Sequence, residues 1–82
     1  MSRNESVDEL RKKIDLIDEK VVNLLNDRAV LAKRIGHTKS LSNQEVYVPQ
    51  REQEVLDRLA GSSRGPLPGR IIRSIYREII SG

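Results

Sequence analysis

The sequence predicts an all-α fold of three helices, of which the first is long, the second short and the third of medium length. Apolar residues recur every three to four positions along most of the 82-residue chain. Two polar stretches, residues 40–48 and 61–66, interrupt this spacing with Ser, Asn, Gly and Pro. No segment reads convincingly as a β-strand, because even the isoleucines near the end keep helical spacing.

The first predicted helix begins at a capping box, Ser6-Val7-Asp8-Glu9. In this motif the Ser hydroxyl accepts a hydrogen bond from the Glu9 amide, and the Glu9 carboxylate reaches back to the Ser6 amide. The helical spacing continues to about residue 40, and Gly36 inside it costs a tolerable ~1 kcal/mol. The apolar stripe consists of Val7, Leu10, Ile14, Ile17, Val21, Leu24, Leu31 and Ile35, widened by Leu25 and Ala32.

The length of this helix predicts a partner. Thirty-odd residues make a rod of about 50 Å, nearly twice the diameter of a compact domain of this size. A short chain also buries only about 60% of its unfolded surface, so its own core is thin. Because symmetric dimers are the commonest oligomers, we expect an intertwined homodimer in which the stripe packs along a second copy.

The second and third predicted helices are shorter. Residues 40–48 are expected to form a loop, and Pro49 suits the first position of helix two, although Val48 is a poor capping residue. The segment 61–66 stops helix two. Helix three then carries Ile71, Ile72, Ile75, Tyr76, Ile79 and Ile80 on one side, and Arg70, Arg73, Arg77 and Glu78 on the other.

Composition argues against several classes of function. The net charge is +3, but acids and bases are interleaved, and Tyr47 and Tyr76 are the only aromatic residues, so nucleic-acid binding is not expected. The apolar runs fall far short of the roughly 18 residues of a membrane span. With no cysteine and no signal-type segment, we expect a cytoplasmic protein without disulfides. His37 is the only histidine, which argues against a His-based metal site.

Arg28 breaks the apolar stripe, because it falls between Leu24 and Leu31 where a hydrophobic residue would keep the stripe continuous. Such a cation either pairs with an acid, for example Asp27 or Glu52, or binds an anionic ligand. Lys39 follows eleven residues later and returns to within about 20° of the same helix face.

Arg11 lies about 25 Å before Arg28, too far to touch the same small ligand from one chain, although an antiparallel dimer would bring the two together. Arg11 and Lys39 could also be ordinary solvated charges. Arg51 and Glu52 are expected in the first turn of helix two, where Arg51 could bind a carboxylate and Glu52 a hydroxyl, or both could be surface residues.

Four segments resemble the all-helical class of chorismate mutases. They are residues 10–18 (LRKKIDLID), 24–28 (LLNDR), 35–39 (IGHTK) and 47–52 (YVPQRE), to which 75–81 (IYREIIS) adds a likeness to the last helix of that family. The likeness is greatest to members fused to prephenate dehydratase or to the first synthase of the shikimate pathway. It covers almost the whole chain, and several spaced cations make it more specific than any single motif.

The resemblance implies that the protein rearranges chorismate to prephenate in phenylalanine and tyrosine biosynthesis, without a metal or other cofactor. It further implies that Arg28 and the partner's Arg11 bind carboxylates, that Lys39 contacts a carboxylate and the ether oxygen, and that Arg51 supports the anion. Glu52 would accept the substrate hydroxyl, so Arg28, Lys39 and Glu52 are the implied catalytic residues.

Two departures from the family pattern accompany this resemblance. Val48 stands where the family usually has an Asp, so only its backbone amide is expected near the substrate, and the cap is weaker by about 1 kcal/mol. The chain also ends at Gly82, before a Ser and a Gln that the family's last helix contributes. We therefore expect residues 1–82 to be a single domain cut from a longer chain, with a barrier about 3 kcal/mol higher if it acts alone.

Two other functions stay open at this level. An isochorismate pyruvate-lyase shares the fold and the cationic pocket, and product analysis would separate it from a mutase. A non-catalytic dimerisation or regulatory module could retain the helices and bind chorismate or an aromatic amino acid without turnover.

Overall fold

The computed structural model describes residues 5–41 and 49–81. Three α-helices form this part of the chain: α1 spans Val7–Leu41, α2 spans Pro49–Ser62 and α3 spans Gly69–Ser81. No β-strand occurs within those two described ranges. The prediction of an all-α fold of three helices with a long first helix is therefore confirmed. The expected order of a short and then a medium helix is wrong within the described residues, because α2 has 14 residues and α3 has 13.

Helix α1 begins with the predicted capping box. The Glu9 amide donates to the Ser6 hydroxyl at 3.1 Å, and the Ser6 amide donates to the Glu9 carboxylate at 3.1 Å. Hydrogen bonding to the Glu9 carboxylate, first from the Ser6 amide and then from the Ser6 side chain, holds the pKa of Glu9 below its ordinary value. The Leu10 amide donates to the Ser6 carbonyl at 3.1 Å, and Lys13 forms an ion pair with Glu5 just before the helix.

The apolar stripe of α1 is exposed along its length. The helix contains no buried residue, and Ile14, Leu24 and Ile35 are 55%, 66% and 56% exposed. Each such side chain contributes about 1.5–3 kcal/mol when it is fully buried instead of exposed. A large part of the stabilisation available to α1 is therefore not realised within one chain.

Two compact units make up the chain, one ending at Thr38 and the other beginning at Lys39. The prediction of a single domain stays a prediction. Among the residues that the structure describes, no helix has both the length and the apolar character needed to cross a bilayer.

Helices α2 and α3 pack against each other around a small core. Val55 and Leu56 of α2 are buried, with 6% and 2% of their surface exposed. This pairing follows from the strongly one-sided distribution of isoleucines on α3, because an amphipathic helix buries its apolar face against a neighbour. The half-buried residues around the core are Leu59, Ala60, Ile71, Ile72, Tyr76, Ile79 and Ile80.

The end of α1 differs from the prediction. Ser40 and Leu41 belong to the helix, so the prediction that places them in a loop is wrong for these two residues. The helix continues because neither residue lacks a backbone donor or requires an unusual dihedral angle. The rest of the predicted loop, including Tyr47 and Val48, lies outside the described residues.

The end of α2 also lies later than the sequence predicts. Gly61 and Ser62 remain helical, and the Ser62 hydroxyl donates to the Leu59 carbonyl at 2.9 Å. This bond satisfies one of the carbonyls that a helix end leaves without an intrahelical partner. The next helix begins after Pro68, whose carbonyl accepts hydrogen bonds from the amides of Ile71 and Ile72 at 3.0 and 3.2 Å.

A polar contact joins the two short helices beside the core. The Arg73 guanidinium donates to the Asp57 carboxylate at 2.8 Å, and the Gln53 amide donates to the same oxygen at 2.9 Å. The hydrogen bond from Arg73, followed by that from Gln53, holds the pKa of Asp57 below its ordinary value of 3.8. The pair is partly exposed, so solvent screens it and its contribution is modest.

We expect Gly69→Ala to destabilise the α2–α3 unit. A Cβ at Gly69 would lie 2.9 Å from the Ala60 carbonyl oxygen, which is backbone of the facing helix and cannot rotate away. Overpacking of this kind costs about 1–3 kcal/mol. Urea unfolding at fixed protein concentration measures the loss. Gly61→Ala is the matched control, since a Cβ there meets nothing within 4 Å. Equal effects of the two substitutions would contradict this interpretation.

We expect Asp57→Asn to lower stability near neutral pH and to have less effect in acid. A carboxyl whose pKa is lowered by folding stabilises the protein above its unfolded pKa, and this contribution is lost as the pH falls through the lower folded value. The difference between wild type and variant should therefore shrink below about pH 4. Thermal unfolding from pH 7 to pH 3 measures it. Glu54→Gln removes an exposed charge on the same helix, and an identical profile for that control would argue against the Arg73 contact as the cause.

Candidate active site

Arg28, which interrupts the apolar stripe, and Lys39, which follows it on the same face, are the least exposed charged residues of α1. Leu25, Arg28, Gly36 and Lys39 are half-buried, whereas every other residue of this helix is exposed. Arg28 and Lys39 are thus less accessible than Leu24, Leu31 and Ile35, which are more than half exposed. Placing a long cation where an apolar side chain would be more stable favours a specific role for the charge.

Arg11 occupies a different position. It is exposed and lies in the second turn of α1, seventeen residues before Arg28 on the same continuous helix. At 1.5 Å per residue the separation is about 25 Å, which is longer than a small metabolite. One chain therefore does not bring Arg11 and Arg28 to the same ligand, as the sequence predicts.

The first turn of α2 holds Arg51 and Glu52, as expected. Glu52 is half-buried because it precedes the buried Leu56 by four residues and so shares its helix face. Arg51 is turned about 100° from that face and is exposed. The core of the α2–α3 unit thus sets the position of Glu52, and the amides of this first turn favour a nearby anion.

Lys39 is in the last turn of α1, where a cation also stabilises the negative end of the helix dipole, so a purely structural role suits it as well. Val48, which the resemblance places at the substrate through its backbone amide, lies outside the described residues.

A shallow depression elsewhere on α1 is lined by Asp18, Glu19, Val22 and Asn23. Its two carboxylates make it unsuitable for an anionic ligand, so it does not compete with the cations as a candidate site. In the described ranges no three His, Cys, Asp or Glu residues are grouped so that they could hold a metal ion.

Arg28 and Lys39 on α1 and Glu52 at the start of α2 are half-buried charged groups, and groups of this kind form strong hydrogen bonds with small polar ligands. The model of the family described as chorismate mutase type II matches residues 10–82. The chain belongs to this family, as its motifs predict.

Relatives and solved structures agree with this membership. The chain is 47% identical over 81 residues to the bifunctional chorismate mutase/prephenate dehydratase of Aquifex aeolicus (strain VF5), covering 94% of the chain but 22% of that protein. It is 38% identical over 55 residues to the chorismate mutase of Methanocaldococcus jannaschii, covering 67% of the chain and 56% of that protein. The chain thus spans about a fifth of the length of its bifunctional relatives.

The fold matches a solved structure closely. The structure of chorismate mutase (form I) from Thermus thermophilus superimposes with a TM-score of 0.90 at 32% sequence identity. The match covers 94% of this chain and 96% of that one. The three-helix architecture is therefore that of a chorismate mutase.

Proposed function

We propose that the chain is a chorismate mutase that rearranges chorismate to prephenate in the formation of phenylalanine and tyrosine. Family membership over residues 10–82 supports the reaction class. The observation that carries the site is the burial pattern of α1, in which the two half-buried cations, Arg28 and Lys39, are both among the residues that the family resemblance assigns to the substrate.

The chemistry suits these residues. The ether C–O bond of chorismate breaks as a new C–C bond forms within the same molecule, so the reaction needs no nucleophile and no co-reactant. The enzyme has to hold the dicarboxylate in a compact conformation and to stabilise the negative charge that develops on the ether oxygen. Fixed guanidinium and ammonium groups do both, because they are charged donors that need not reorganise during the reaction.

Each candidate residue has a role in this proposal. Arg28 and Arg11 of the partner subunit bind the two carboxylates, and Lys39 donates to a carboxylate and to the ether oxygen. Glu52 accepts the substrate hydroxyl, while Arg51 adds positive potential at the start of α2. Val48 is assigned to the same hydroxyl by the family resemblance alone, through its backbone amide.

The proposal includes an antiparallel homodimer with shared sites. The exposed stripe of α1 supports it, since a face with residues such as Ile14 and Leu24 more than half exposed requires cover. The position of Arg11 supports the antiparallel direction, because only that direction brings it level with Arg28 of the other copy. In this arrangement each residue of α1 lies opposite the residue of the other copy for which the two numbers add up to 39, as they do for Arg11 and Arg28. The twofold axis therefore passes between residues 19 and 20.

The names of the bifunctional relatives support a further part of the proposal. The chain corresponds to the mutase segment of a longer cytoplasmic protein in which a prephenate dehydratase consumes the product. A synthase domain is the second fusion that the sequence predicts.

We expect Arg28→Met to lower kcat/KM for chorismate by about 10²–10³, the usual effect of removing one fixed donor. Methionine keeps the apolar stem and fits the stripe, so folding should be preserved. The exposed Arg34→Ala on the same helix is the matched control and should change the rate by less than about twofold. The assay follows the loss of chorismate absorbance, with prephenate identified by chromatography.

Two further measurements separate the other functions. Release of pyruvate from isochorismate, without conversion of chorismate, would identify a pyruvate-lyase. Binding of chorismate by calorimetry without turnover would identify a non-catalytic module. Full activity of a folded Arg28→Met variant would overturn the site assignment.

We expect single cysteines to cross-link according to the antiparallel register, and the native chain has no cysteine to interfere. Two copies of residue 21 would lie within about 5 Å along the axis, whereas two copies of residue 31 would be about 35 Å apart. Val21→Cys should therefore give a covalent dimer with a short bis-maleimide, and Leu31→Cys should not.

Val30→Cys, an exposed valine off the stripe, controls for random collision. Cross-linking of both Val21→Cys and Leu31→Cys would indicate a parallel dimer, and a monomeric mass by light scattering would rule out the shared site.

A further inference from the structure

The first two turns of α1 are held by contacts that reach no other element. Glu5 and Ser6 precede the helix, and they are tied to Lys13 and Glu9 inside it by one ion pair and two reciprocal hydrogen bonds. Every described residue from 5 to 24 is exposed, so packing within the chain does not order this helix end. The cap and the ion pair are the interactions that resist its fraying.

Arg11 lies inside the segment that these contacts enclose. It is five positions after Ser6 and two before Lys13, so the contacts span the turn from which its side chain extends. A helix end whose amides lack partners frays, and a guanidinium on a frayed turn has no fixed position. A displacement of about 1 Å at a binding group can lower a rate by about 10²-fold. The position of the Arg11 guanidinium is therefore fixed only while the cap keeps this turn helical.

We infer that Ser6, Glu9 and the Glu5–Lys13 ion pair are positioning residues for the active site of the opposite subunit. They hold the start of α1 helical so that Arg11 reaches the carboxylate bound by Arg28 of the partner subunit. This inference rests on the proposed function, since it requires the shared site. It assigns a catalytic consequence to a helix cap that otherwise has only a role in stability.

Mixed dimers test the inference. One chain carries Arg28→Met and still provides Arg11, and the other carries Arg11→Ala and still provides Arg28. Their heterodimer, isolated with two different affinity tags, has one complete site and one that lacks both arginines. It should therefore show about half of the wild-type activity, while both parent homodimers are nearly inactive.

The cap is then removed from one chain at a time by Ser6→Ala with Glu9→Ala. In the chain that provides Arg11, the change should lower kcat/KM by about fivefold, the usual effect of a lost cap on a local helix equilibrium. In the chain that carries Arg11→Ala, it should lower kcat/KM by clearly less, because that helix end faces the incomplete site. Both heterodimers carry the same substitutions, so their thermal stabilities should agree.

Asp8→Asn in the chain that provides Arg11 is the control for first-turn charge, because it removes a carboxylate that is not part of the capping box. It should leave kcat/KM within about twofold. Equal losses from the cap variant in either chain would overturn the positioning role and leave the shared site intact. An inactive heterodimer without any cap substitution would overturn the shared site itself, and the inference with it.

Discussion

Covering the apolar stripe of α1 is the constraint on which the rest of the protein depends. A 35-residue helix with no buried residue gains little from packing in its own chain. Helices in proteins owe most of their stability to such packing. The proposed second copy provides that cover. The same association would complete the site, because the long helix separates Arg11 from Arg28 by more than the length of the ligand. Stability and catalysis would then depend on one contact between copies.

The α2–α3 unit is organised differently. It has a core of its own around Val55 and Leu56, and a polar contact between Asp57 and Arg73 lies beside it. This core gives Glu52 its half-buried position at the start of α2, because Glu52 lies one helical turn before the buried Leu56 and on the same face of the helix. The Glu52 carboxylate, which we propose accepts the substrate hydroxyl, is thus positioned by packing within one chain, whereas the proposed binding of the substrate carboxylates uses both chains.

Much of this arrangement could be predicted from the sequence, because its causes are local. The capping box, for example, pairs residues three positions apart. The half-buried state of Arg28 does not follow from its position in the stripe, because Leu24 and Leu31 on either side of it are more than half exposed. The end of α2 was harder to predict: Gly61 and Ser62 are turn formers by type, yet the Ser62 hydroxyl satisfies the Leu59 carbonyl and the last turn persists.

The contact between Asp57 and Arg73 was not predictable. It joins residues sixteen positions apart on two helices, so it depends on the geometry of the intervening turn. The close approach of Gly69 to Ala60 has the same origin. Both features arise where α2 and α3 meet. The periodicity of apolar residues along the chain does not determine the distance between two helices.

The capping box also bears on the order in which the protein assembles. Its hydrogen bonds connect Ser6 and Glu9, which are close in sequence, so they form on the timescale of helix formation rather than that of a bimolecular encounter. Nucleation is the unfavourable step in making a helix, and a cap that forms early lowers that barrier at one end of α1. A newly made chain can therefore hold the start of its long helix before the proposed second copy binds, and less conformational entropy would then be lost in that association.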